Sequence, residues 1–115
     1  MQPVSVKTLD PAALNITLRS MARTEDPISL CLKLMGGVAE TPRVRIETFS
    51  DPKEDFNQVT VIVVRDGFQD DSLRGDWHKF ELKRAADGAW AVDTARQAYR
   101  CWRSTYKGYS ANLCP

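Results

Sequence analysis

"QVTVIVVRD", residues 58–66, decides the fold of this 115-residue chain. Every residue from Val59 to Val64 is β-branched, which suits a pleated strand and disfavours a helix. Apolar side chains fall on both parities, so both faces of the strand must be covered. This stretch is therefore expected to be the central strand of a sheet.

Its neighbours extend the pattern. Upstream, "RVRIETF" (43–49) alternates Val44 and Ile46 with Arg43, Arg45 and Glu47, which predicts a strand with one wet face. "DPKEDFN" (51–57) between them reads as a turn or exposed connection. Downstream, "GFQDDSLRG" (67–75) breaks the period with glycines and polar residues. "DWHKFELKR" (76–84) then sets His78, Phe80 and Leu82 on one face and Trp77, Lys79, Glu81 and Lys83 on the other. Asp87-Gly88 in "AADGA" signals a hairpin. "WAVDTARQAYRCW" (90–102) resumes with Trp90 and Val92 in phase, and its length predicts a bulge or bend before Cys101.

The first third of the chain reads differently. In "LDPAALNITLRSMAR" (9–23), Asp10 suits an N-cap and Pro11 the first helical position. Leu14, Leu18 and Met21 make one helical stripe. Asn15-Ile16-Thr17 matches a glycosylation sequon, which a helix makes a chance match. "EDPISLCLKLMGG" (25–37) carries the same start, Asp26-Pro27, and stops at Gly36-Gly37. Its Ile28, Leu30, Leu32 and Leu34 nevertheless alternate as in a strand. Caps favour a short helix and pattern favours a strand; the helix is preferred. The expected fold is α+β: one or two N-terminal helices on a four-stranded antiparallel meander, with residues 1–115 a single domain.

The apolar fraction of 43% and charged fraction of 27% are those of a soluble globular protein. No apolar run is long enough to cross a bilayer as a helix. A net charge of +1 argues against nucleic acid as a partner. Charge is nonetheless unevenly placed. Asp51, Glu54 and Asp55, then Asp66, Asp70, Asp71 and Asp76, precede an unopposed set of cations, Arg96, Arg100, Arg103 and Lys107.

Those cations belong to "ARQAYRCWRSTYKGYSANLCP" (95–115), a polar, turn-prone segment holding two of the three cysteines. A Cys101–Cys114 disulfide would close it, stabilising the fold by roughly 3 kcal/mol in the chain-entropy model. Cys31, within the apolar "PISLCLKLM", is then the spare thiol, packed as a small hydrophobe. The bridge implies an exported protein, periplasmic or secreted. "MQPVSVKTLD" does not read as a signal peptide, so a signal is expected to have been removed; without the bridge the chain would be cytoplasmic.

Few residues suggest chemistry. One histidine and no CxxC spacing speak against zinc, and a Cys31–His78 nucleophile pair is less expected than a buried thiol and a core histidine. His78, in phase with Phe80 and Leu82, should point to the helix layer, and a catalytic role would need Asp70, Asp71 or Asp76 in reach within a cleft. Asp70, Asp71 and Ser72 form a polar loop that lacks a calcium-loop pattern, with Arg74 placed to pair with one of its carboxylates. Gly36-Gly37 is not a phosphate loop. No metal or other cofactor is expected. By contrast, Arg100, Trp102, Arg103, Tyr106, Lys107 and Tyr109 are residue types concentrated at binding hot spots.

"DDSLRG", "DGAW" and "RCW…YSANLC" together resemble a family of small uncharacterised exported bacterial proteins. In that family an Asp-Asp-Ser-x-Arg-Gly loop precedes two strands and a final Arg-Cys…Cys segment. The resemblance spans about half the chain, Val61 to Cys114. It matches Asp70, Asp71, Ser72, Arg74 and Gly75 to the loop and Cys101 and Cys114 to the bridge. It implies compartment and fold, not an activity. "DGAW" is also similar to the last strands of cystatin-like and NTF2-like domains, a likeness of fold alone.

The expected function is a non-enzymatic exported binding module whose disulfide-closed loop meets an anionic partner, either an acidic protein or a charged glycan. Two alternatives stand beside it. One is a pocket protein binding or acting on a small molecule near His78. The other is an accessory domain that packs into a larger assembly through an exposed Trp77.

Overall fold

The computed structural model describes residues 2–21, 26–51, 53 and 56–115. The segment read as the core strand forms β3 (Gln58–Asp66), flanked by β2 (Arg43–Phe49) and β4 (Leu73–Arg84). β5 (Trp90–Cys101) follows β4, and a two-residue β1 (Lys7–Thr8) lies against the outer edge of β5. All pairings are antiparallel, in the order β1-β5-β4-β3-β2. The meander thus gains a fifth strand, and β4 rather than β3 is the middle one. β1 escapes the sequence because two residues carry no periodicity. The class is α+β.

Helices α1 (Pro11–Arg19) and α2 (Pro27–Leu34) start where their caps predict. The Asp10 carboxylate accepts from the Ala12 N–H at 3.0 Å. That of Asp26 accepts from the Ser29 N–H and hydroxyl, both at 2.9 Å. Gly36 and Gly37 then take positive φ, 82° and 88°, and the Gly37 N–H bonds back to Leu32 at 2.7 Å. Start and stop signals at both ends override the period-two pattern of residues 28–34. Coiled into a helix, Leu30 and Cys31 face the sheet and are buried. Ala22, Arg23 and Glu25, at the edges of the two helical readings, lie outside the described residues, as do Pro52, Glu54 and Asp55 of the 51–57 connection.

α1 packs on β5 and α2 on β3. Beneath them, Val61, Val63, Phe80, Leu82, Val92 and Ala95 join Leu18, Leu30 and Cys31 in the main core. Full burial of each large side chain stabilises by about 1.5–3 kcal/mol. The opposite face holds a second cluster, Ile62, Trp77 and Ala98, covered by Tyr109 from the C-terminal tail. This accounts for the two-sided apolarity of β3. β2 lies beyond the helices, so both of its faces are wet; Val44 and Ile46 stay 39% and 38% exposed.

Two register shifts shape the β4–β5 ladder. One leaves Asp93 extra on β5, between the Glu81–Thr94 and Leu82–Val92 pairs; the other leaves Arg74 extra on β4, opposite Cys101. The hairpin between the strands turns at Gly88, φ 88°, with the Asp87 carboxylate accepting from Ala89 at 3.0 Å.

Candidate functional site

The site is built around Asp66. It ends β3 on the face away from the helices and pairs with Gly75 of β4. A Cβ at Gly75 would collide with the carbonyl of Arg65 and crowd the Asp66 carboxylate. Into this space come two guanidinium groups. Arg74 Nε donates to Asp66 Oδ1 at 3.0 Å, and Arg100 Nη1 donates to Oδ2 at 3.1 Å. Two cations share one carboxylate, which leaves the site a local positive charge.

Each arginine also grips the tail. Arg100 Nε donates to the Lys107 carbonyl at 2.7 Å, and its guanidinium lies over the Tyr109 ring at 5.6 Å. The Arg74 guanidinium lies over the Trp102 ring at 5.1 Å. The Trp102 N–H donates to Ser72 at 2.9 Å, so the polar loop and the tail, read separately in the sequence, meet here.

The Cys101–Cys114 disulfide forms, with Cα atoms 5.3 Å apart. Ser110, within the ring it closes, exchanges backbone hydrogen bonds of 2.7 and 2.9 Å with Tyr99 of β5, just outside the ring. The N-terminal segment adds a second tie: Val4 N–H donates to Tyr109 at 3.0 Å, and Ala111 N–H to the Ser5 hydroxyl at 2.9 Å. Without these ties a tail of small polar residues would fray.

The six tail residues separate into two groups. Arg100 and Tyr109 point inward and hold the loop; Tyr109 is 2% exposed. Trp102 and Tyr106 are each 42% exposed, and Arg103 and Lys107 are exposed beside them. Lys107 Nζ donates to the Trp102 backbone carbonyl at 3.1 Å, which ties that cation to the Trp102 end of the loop. Tyr106 lies across Gly108, whose missing Cβ would sit 2.5 Å from the phenol oxygen. On the sheet side of the clamp, Arg43, Arg45, Arg100, Val64 and Tyr109 line a shallow groove of about 210 Å³.

The polar loop is organised by Asp70, not Asp71. The Asp70 carboxylate accepts from the N–H groups of Ser72 (2.9 Å) and Leu73 (2.8 Å), which lowers its pKa. Asp71 is exposed. Arg74 was expected to pair with a loop carboxylate and instead reaches back to Asp66. That partnership arises from the β3–β4 register, which local sequence does not display. Among the described residues, no three side chains of His, Cys, Asp or Glu converge as metal ligands.

His78 does face the helix layer and is 5% exposed, stacked on Phe80 with ring centroids 5.7 Å apart. Asp76 Oδ1 lies 3.8 Å from its Nδ1, which makes no hydrogen bond. The Asp76 carboxylate is engaged elsewhere, by Arg65, whose Nε donates at 2.8 Å. Arg65 also donates to the carbonyls of Met35 (3.2 Å) and Gly37 (2.7 Å), fastening the end of α2 to the sheet. Burial pulls the His78 pKa down to about 4; Asp76 opposes that shift and Arg65 reinforces it. At neutral pH the imidazole is uncharged, and the contact with Asp76 is not a salt bridge. Burial likewise pushes the Cys31 thiol up to about 12, so it is a packing group and not a nucleophile.

A larger cavity of about 470 Å³ lies at the far end, between the helices and the β4–β5 hairpin, lined by Leu18, Met21, Leu30 and Trp90. His78 does not line it. Comparison with protein-family models, curated proteins and solved structures finds no match.

Proposed function

We propose that the chain is an exported, non-enzymatic binding module that captures an anionic partner, an acidic protein segment or a charged glycan, on its C-terminal loop. The observation that carries this reading is the exposure of Trp102, Arg103, Tyr106 and Lys107 together on one loop that is tied at several points. Aromatic rings offer contact area with few rotors to freeze, and a pre-ordered loop loses less entropy on docking. The disulfide supports an oxidising compartment, periplasmic or extracellular.

The alternatives have less support. A small-molecule site at His78 would need access that Phe80 and the helix layer deny. Packing into an assembly through Trp77 would need that indole exposed, and it is 4% exposed beneath Tyr109.

The test is binding to heparin and to polyglutamate, measured by interferometry across a salt series. Binding to at least one probe, weakening as salt rises and dropping at least tenfold in Trp102→Ala/Tyr106→Ala, is expected. No binding to either probe, or binding indifferent to that double substitution, overturns the proposal.

A further inference from the structure

β2 has one free edge. β3 occupies its inner side along all seven residues. Among the described residues, no hydrogen bond from another segment reaches its outer side. An unpaired edge of this length is a template for another strand. Val44, Ile46 and Phe49 are 39%, 38% and 52% exposed along it.

Edge charges usually prevent such pairing, and here they select it. Residues directly opposite in an antiparallel ladder share a face, so a symmetric pair of β2 strands must be centred on a residue. Centring on Arg45 or Glu47 sets like charges face to face, and centring on Val44 sets Arg43 against Arg45. Such contacts are destabilising. A centre at Arg43, Thr48 or Phe49 leaves at most three residues paired. Centring on Ile46 uses all seven residues. It places Arg45 opposite Glu47 of the second copy, twice by symmetry, with Val44 against Thr48 and Arg43 against Phe49. Arg45 and Glu47 already lie on one face, 3.2 Å apart, with side chains 56% and 41% exposed and free to re-pair across the seam.

We propose that the chain forms a two-fold dimer by antiparallel pairing of β2 with β2 of a second copy, centred on Ile46, in one continuous sheet. This goes beyond the loop's proposed role and does not depend on it. The pairing is isologous, so it closes after two copies and leaves no further β2 edge to recruit a third.

Sedimentation velocity over a concentration series tests it. The wild type should pass from monomer to dimer. Arg45→Glu and Glu47→Arg, each alone, should raise the dimer dissociation constant at least tenfold, since each sets like charges opposite. An equimolar mixture of the two should form a heterodimer, because in this register both cross-strand pairs of positions 45 and 47 become oppositely charged again. Circular dichroism of each single variant checks that these exposed changes leave the fold intact. Ile46→Cys should cross-link to itself under mild oxidation. A wild type that stays monomeric, single variants that dimerise like the wild type, or a mixture that does not associate would each overturn the proposal.

Discussion

His78 is neutral where it is buried, and that has a definite pH signature. Its folded pKa is about 4 against 6.5 for the free side chain, so on acidification the unfolded chain takes up the proton first. The stability due to a neutral His78 is complete above pH 6.5 and is lost as pH falls toward 4, by an amount on the order of 3 kcal/mol. Urea unfolding at pH 7, 5.5 and 4.5 should show that slope, and His78→Leu should flatten it. If the slope persists in the variant, other groups cause it. The direction in which His78 points was legible from its phase with Phe80 and Leu82. The importance of Asp66 was not. Its partners, Arg74 and Arg100, lie 8 and 34 positions away, and only strand register and the returning tail bring them together.

Asn15 shows how one helix fixes a strand. Its side-chain amide donates to the Val92 carbonyl at 3.0 Å and accepts from the Val92 N–H at 2.7 Å. Both backbone groups next to the Asp93 bulge are thereby satisfied, as a neighbouring strand would satisfy them. The same amide nitrogen is the atom a glycan would need, so the sequon is blocked once the chain has folded. Asn15→Ala should lower stability by about 2 kcal/mol, because two part-buried backbone groups lose their partner. Differential hydrogen exchange should show protection falling first at Val92. Undiminished protection there would mean the contact does not hold the strand. The helices and the four long strands were readable because each repeats a signal over many residues, whether a cap, an alternation or a turn. β1 was not, since its pairing with Gln97 and Arg96 depends on where β5 runs. The exposure of β2 was also hidden, because alternation says which residues share a face and not whether a helix reaches it.

Across the whole molecule, the ends of the chain are held together: Val4 and Ser5 bond to Tyr109 and Ala111, and the disulfide fixes Cys114 to the end of β5. The sequence announced the bridge through the polar segment between its cysteines, but not the N-terminal strap, which has no local pattern. The bridge also governs how the protein would respond to being pulled. Tension applied at Pro115 enters at Cys114 and crosses the sulfur atoms directly into Cys101, so the ring that carries Trp102 and Tyr106 is bypassed and bears no load. In single-molecule force spectroscopy the oxidised protein should therefore unfold with a contour length that omits the ring. Reduction should restore the hidden slack of 13 residue steps, roughly 40 Å of additional extension. Equal contour lengths in the two redox states would show that the bridge is not the path of force. While it is intact, a partner held by the exposed rings would be gripped by a surface that keeps its shape even as tension rises in the strands behind it.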